Sequence, residues 1–235
     1  MSIPASFEAA LASIREELAA DPRVDGILFF GSAARGTVTS RSDIDLYAIV
    51  PDGLPGHLGR LIEGVPVEVS IAPLEEMRER VAREVPTVVH AFATGRILLD
   101  RRGEVANLCR DAAVLWERGP SALTPAGTLR QRFKLTDLAD DLEALAETSD
   151  AHQGDALLAA EAVHHAIDAI FAAERRWAPT TRQAISALAS FAPETATRVR
   201  ECAARGFPTA LAVELVDEAL ARLGGRLREY DTRHP

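Results

Sequence analysis

The strand signal in this chain stops halfway, which restricts the fold to two unlike parts. Residues 24–30, 43–50 and 65–71 each read as a strand. In the third, Val65, Val67, Val69 and Ile71 alternate with Pro66, Glu68 and Ser70, so the apolar side chains are expected on one face. Residues 96–99, before Asp100-Arg101-Arg102-Gly103, predict a short fourth strand. Helices are predicted at 5–20, where Phe7, Leu11, Ile14 and Leu18 recur at helical spacing, and at 58–63 and 73–84. Beyond Gly119-Pro120-Ser121 only helical periodicity remains, over residues 128–147, 155–176, 181–190, 194–204 and 209–228. The expected fold class is α+β. An N-terminal domain, 1–119, has a small mixed β-sheet flanked by helices, and an all-helical bundle domain, 120–235, follows it.

The chemistry concentrates at the ends of the strands. The first predicted strand stops at Gly31, and Ser32 opens a short helical turn with Arg35 and Gly36. A glycine there lets the backbone approach a phosphate closely, with following amides aimed at it. The Ser32 hydroxyl can donate to a phosphate oxygen, and Arg35 can meet the phosphates or clasp the loop. Ser42, a further candidate for the nucleotide, then precedes Asp43-Ile44-Asp45. Residues two apart on a strand project from one face, so Asp43 and Asp45 point together. Two such carboxylates repel unless a cation sits between them. Magnesium suits that position, because it takes oxygen ligands and phosphate oxygens complete its octahedron. Glu68 leaves the apolar face of its strand and reaches the same metal if that strand lies beside the Asp43–Asp45 strand. It is then either a ligand of a second ion or the base for an acceptor hydroxyl.

Bulk properties narrow the partners. The formal net charge of −9 disfavours a long nucleic acid, whose phosphates call for a basic face. The chain has no signal-peptide core and no long uncharged apolar run, so a cytoplasmic protein with no membrane partner is expected. Cys109 and Cys202 match no metal spacing. Monomer and homodimer both remain compatible with the sequence.

Gly-Ser, ten intervening residues, Asp-x-Asp and a later acid on an apolar strand resemble the DNA polymerase β-type nucleotidyltransferase superfamily, over about residues 24–71. An α/β domain followed by a helical bundle resembles, within it, the bacterial aminoglycoside and lincosamide nucleotidyltransferases. The resemblance implies that Gly31 and Ser32 hold a nucleoside triphosphate and that Asp43, Asp45 and Glu68 bind Mg2+, two ions in all, or activate the acceptor. It implies transfer of a nucleoside monophosphate, AMP from ATP or another NMP, to a hydroxyl of a small molecule, with pyrophosphate released. A toxin-modifying protein adenylyltransferase and a non-catalytic nucleotide sensor are the alternative readings.

In the helical half, Lys134 is the single lysine among 26 Lys and Arg residues. With Arg130 it is the candidate for the triphosphate, since helical domains of this superfamily commonly supply a basic side chain there. Asp137 and Asp141 share its helix face and are candidate acceptor ligands. Trp177 is a candidate stacking surface, against an interhelical core role. Glu161, His164, His165 and Asp168 look like a metal set, but adjacent histidines point about 100° apart on a helix, so ordinary helical pairing is expected. Arg83–His90 and Arg228–His234 fit the loose Arg-to-His spacing of toxin ribonucleases and are read as chance. The acceptor is expected between the two domains.

Overall fold

The computed structural model describes residues 4–36, 39, 42–147 and 153–229. They fall into two compact units, 1–118 and 119–235.

The first unit opens with α1 (Ala5–Ala20), then β1 (Gly26–Phe30), a four-residue α2 (Gly31–Ala34) and β2 (Ile44–Val50). β3 (Gly56–Ile62), β4 (Val65–Pro73), α3 (Leu74–Ala82), α4 (Pro86–Thr94), β5 (Arg96–Asp100) and α5 (Glu104–Arg118) follow. The sheet order is β3-β4-β2-β1-β5, mixed because β2 and β4 run parallel while the other neighbours are antiparallel. One sheet face carries Ile27, Phe29, Ile44, Leu46, Val67 and Val69, which bury with Phe7, Ala10 and Ile14 of α1. This is the alternation expected of a strand with one covered face. On β4 it fails at Ile71, which is 37% exposed. Its cross-strand neighbour is Gly56, which has no side chain to cover it.

Residues 58–63 are not a helix. Residues 58–62 belong to β3, which pairs antiparallel with β4 through a two-residue turn at Glu63-Gly64. Both turn residues have positive φ, +50° and +76°. That geometry matches the right-handed twist of the flanking strands and closes the hairpin tightly. The alternation of β3 is hidden in the sequence by Gly56 and Gly59. A Cβ at Gly64 would meet nothing within 4 Å, so Gly64→Val tests backbone conformation alone. We expect a loss of about 1–2 kcal/mol in urea unfolding; no loss would show that the turn relaxes to negative φ freely.

The single helix expected over 73–84 is shorter. It ends at Ala82, Glu84 adopts φ +55° in the break that follows, and α4 starts at Pro86. Sequence periodicity also passes over α4 and α5; Val105, Leu108 and Ala112 bury one side of α5.

The second unit is α6 (Pro125–Glu147), α7 (Gln153–Ala173), α8 (Thr181–Leu188), α9 (Pro193–Ala204) and α10 (Thr209–Leu223). Its core is alanine-rich, with Ala139, Ala162, Ala166, Ala169, Ala212 and Ala219 fully or nearly fully buried. Small side chains let α6, α7 and α10 approach closely, and Leu142, Ile170 and Leu215 fill the space between. By length and composition α7 is apolar enough to cross a membrane, although Asp155, Glu161 and Asp168 interrupt it. It serves as the central helix of the bundle, in contact with α6, α8 and α10. The last helix ends at Leu223 rather than at 228. Gly224 takes φ +103° and the Gly225 N–H closes onto the Leu220 carbonyl at 2.7 Å, a left-handed stop that glycine allows. Beyond it, Arg226 is clamped by Asp217, Glu143 and Asp140, and the Leu227 N–H donates to Thr136 Oγ1.

Candidate functional site

The turn after β1 requires glycine twice. Gly31 has φ +82°, and a Cβ placed on it would overlap the Oδ2 atom of Asp45. The backbone of the turn therefore lies directly on one of the acids. Ala33 is buried and anchors the turn, while Ser32 and Arg35 are exposed above it. The Arg35 and Gly36 N–H groups bond back to the Ser32 and Ala33 carbonyls at 3.3 and 3.0 Å. Ser42 is half-buried, and its Oγ accepts the Thr39 N–H at 2.8 Å. In this structure its hydroxyl shapes the approach to β2.

Sheet register gathers the acids. Asp43 immediately precedes β2, and Asp45 is its second residue, opposite Phe30 on β1 and Glu68 on β4. Glu68 faces away from Val67 and Val69 and is exposed. Across from it on β3 stands Gly59, which adds no side chain. The cost of this arrangement registers on Asp45. Burial, then the neighbouring charges of Asp43 and Glu68, push its carboxyl up to about 6, with Arg35 pulling the other way. Only groups close in space shift one another in this manner, so the four side chains form one electrostatic cluster.

No three His, Cys, Asp or Glu side chains among the described residues already converge on a metal position. The donor set nonetheless fits a hard divalent cation. All three acids are oxygen donors, the ionised form of Asp45 is disfavoured by burial and by the charges of Asp43 and Glu68, and magnesium characteristically takes one or two carboxylates with phosphate oxygens from a substrate.

Sequence reasoning missed the support beneath the acids. Tyr47, two residues after Asp45 and on the same face, is buried and stacked between Phe30 at 4.5 Å and Phe92 at 5.7 Å. This ladder joins β1, β2 and α4 under the cluster. Burial raises the Tyr47 phenol above its ordinary value, so it remains protonated. His90 packs against Trp116 with ring centroids 4.8 Å apart and the rings tilted by 40°, and burial, followed by the Arg35 charge, holds its imidazole below the usual range. The i, i+2 relation of Asp45 and Tyr47 is a usable signal. His90 offers only its place in the loose Arg83–His90 spacing, and His234 of the second such pair lies outside the described residues.

The remaining candidates belong to the helical unit. Lys134 donates to Glu161 Oε1 at 3.0 Å. His165 lies 3.5 Å from the same carboxylate, and His164 lies 3.6 Å from Asp168. The Glu161–Asp168 set is thus two i, i+4 pairs, as the 100° argument required. Arg130, Asp137 and Asp141 are exposed on α6. Trp177 is half-buried just beyond α7 and lies outside the bundle's core cluster.

Residues 11–95 match the family model described as a nucleotidyltransferase domain. That span runs from α1 to the end of α4 and contains Gly31, Ser32, Asp43, Asp45 and Glu68. Residues 11–95 thus carry a nucleotidyltransferase domain. In fold, the chain is similar to a nucleotidyltransferase-like protein from Exiguobacterium sibiricum 255-15, with a TM-score of 0.51 and 15% identity. The likeness covers 92% of this chain and 74% of that one, and at such identity it concerns the fold alone. A comparison with curated protein sequences finds no match.

Proposed function

We propose that the nucleotidyltransferase moves AMP from ATP to a hydroxyl of a small molecule, with an aminoglycoside or lincosamide antibiotic as the acceptor class, in the cytoplasm. The observation that carries this reading is the register of β2 and β4, which sets Glu68 beside Asp45 with Asp43 next in line. Ser32 donates to the phosphate tail, and the tight backbone at Gly31 lets that tail sit close to the acids. Asp43, Asp45 and Glu68 would hold magnesium, which when bound neutralises phosphate charge and lowers the acceptor hydroxyl's pKa. The acceptor oxygen bonds to the α-phosphorus, the bond to the β-phosphate oxygen breaks, and pyrophosphate leaves. If Glu68 is not a ligand of the second ion, it takes the hydroxyl proton. Arg35 partly offsets the acids and steadies the charge of the cluster. Most of the acceleration then comes from positioning and charge neutralisation.

The test is incubation with α-labelled ATP, magnesium and a panel of aminoglycosides, lincosamides and a cell lysate, followed by separation of products. A labelled small molecule formed together with pyrophosphate is the expected result. A labelled protein band would replace this reading with protein adenylylation, and no pyrophosphate release with any acceptor would replace it with nucleotide sensing. Repeating the assay with the other three nucleoside triphosphates checks the donor.

A further inference from the structure

The direction of the transfer fixes the flank from which an acceptor must come. With the phosphate tail at the Gly31 turn, the leaving pyrophosphate lies on the β1 side of the acids. Attacking and leaving oxygens stand roughly in line in such a displacement, so the acceptor enters from the opposite side. The sheet order β3-β4-β2-β1 puts only β3 there, beyond Glu68.

On β3, His57, Gly59 and Leu61 alternate with Leu58 and Arg60. The register His57↔Ser70 and Gly59↔Glu68, with Asp45 opposite Glu68, sets the first three on the face that carries the acids. A hydrogen bond between His57 Nδ1 and Ser70 Oγ, 3.1 Å across the strands, pins the imidazole on that face. The ring is exposed, and its Nε2 has no partner among the described residues. His57 is the diagonal neighbour of Glu68, a spacing that aromatic and long side chains span. Arg60, by contrast, pairs with Glu17 of α1 on the other face. Gly59 does not take positive φ, and a Cβ on it would meet nothing within 4 Å. The floor beside Glu68 is therefore open without any backbone need for glycine. Leu61, at the far edge of this floor, is 71% exposed. None of the three residues carries a fixed charge.

We propose, resting on the transfer reading above, that this face of β3 is the acceptor subsite and takes an uncharged hydroxylated ring with an apolar substituent. The ring lies over Gly59 with its reacting hydroxyl toward Glu68. A second hydroxyl hydrogen-bonds to His57 Nε2, and Ser70 holds the imidazole in place for it. The apolar substituent rests on Leu61. The ammonium groups of a polycation would find no carboxylate on this floor.

Steady-state transfer from ATP with magnesium is measured for lincomycin, whose sugar ring is uncharged and bears an apolar amide chain, and for kanamycin A, a polycation. Lincomycin should give the higher kcat/KM. Gly59→Val fills the open floor with a residue that strands favour, and should raise the KM for lincomycin about tenfold or more. His57→Ala should raise it about tenfold through one lost hydrogen bond, and His57→Gln should recover part of that loss. The KM for ATP should stay unchanged in all three, and circular-dichroism melting confirms that each folds. The subsite is overturned if Gly59→Val or His57→Ala leaves the lincomycin KM unchanged, if the KM for ATP rises equally, or if kanamycin A is preferred. Failure of the transfer reading looks different. If neither compound is labelled, lincomycin is titrated calorimetrically into wild type and Gly59→Val with magnesium and a non-hydrolysable ATP analogue. Binding that Gly59→Val abolishes keeps the subsite and removes the reaction. No binding, or binding that the variant retains, overturns the subsite.

Discussion

Asp45→Asn should reduce nucleotidyl transfer by on the order of a thousandfold or more while leaving the fold intact. Asp45 stands between Phe30 and Glu68 in the sheet and directly under the Gly31 turn, so its carboxylate is common to the phosphate-holding and acid-bearing parts of the site. Asparagine preserves the shape and removes the charge. Stability should move the other way. In the metal-free protein the Asp45 carboxyl is raised to about 6 by burial and by Asp43 and Glu68, from an ordinary value near 3.8. A carboxyl raised on folding binds its proton more tightly in the native state. Its contribution is fully present below the unfolded value and is lost as pH climbs through about 6. The carboxyl is only partly buried, so solvent screening limits the effect to about 1–2 kcal/mol. Urea unfolding of wild type between pH 4 and pH 7, roughly the interval set by these two values, should show this decline, and Asp45→Asn should lack it. Near-normal turnover in the variant would sink the assignment of the reaction to these acids. A flat pH difference between the two proteins would sink the electrostatic account.

Gly31→Ala should be nearly as damaging, through geometry rather than charge. The added Cβ meets Asp45 Oδ2 and displaces the carboxylate, while φ of +82° is strained for any L side chain. We expect transfer to fall on the order of a hundredfold and stability to fall by about 1–2 kcal/mol. Gly36 provides the control. It has the same φ of +82°, but a Cβ there meets nothing within 4 Å. Gly36→Ala should lose comparable stability and keep most of its activity. Equal activity in the two variants would mean that the contact with Asp45 is not what makes glycine necessary at position 31.

The acid set is largely legible in the sequence. Asp43, Asp45 and the Gly31-Ser32 turn lie within fifteen residues, and short-range rules of alternation and turn chemistry suffice to read them. The flanking elements are less legible for particular reasons. The glycines of β3 remove the alternation that marks a strand, so residues 58–63 look helical in isolation, and only their pairing with β4 makes them a strand. The stack of Tyr47 needs Phe30 and Phe92 from two other elements. Lys134 stands out as a lone lysine, yet its partner Glu161 comes from the neighbouring helix 27 residues away. Helical spacing on α6 says nothing about that residue.

The sequence by itself determined the division into an α+β part and a helical part, the residues of the acid pair, and the face from which Glu68 projects. Those properties follow from local periodicity and backbone stereochemistry, which act over a few residues. Only the tertiary structure decided that β4 is inserted between β3 and β2, because a strand's partner is chosen by sheet-wide packing rather than by its own sequence. That insertion makes β2 and β4 parallel neighbours and brings Glu68 level with Asp45. It turns three acids scattered over 26 residues into one charged cluster.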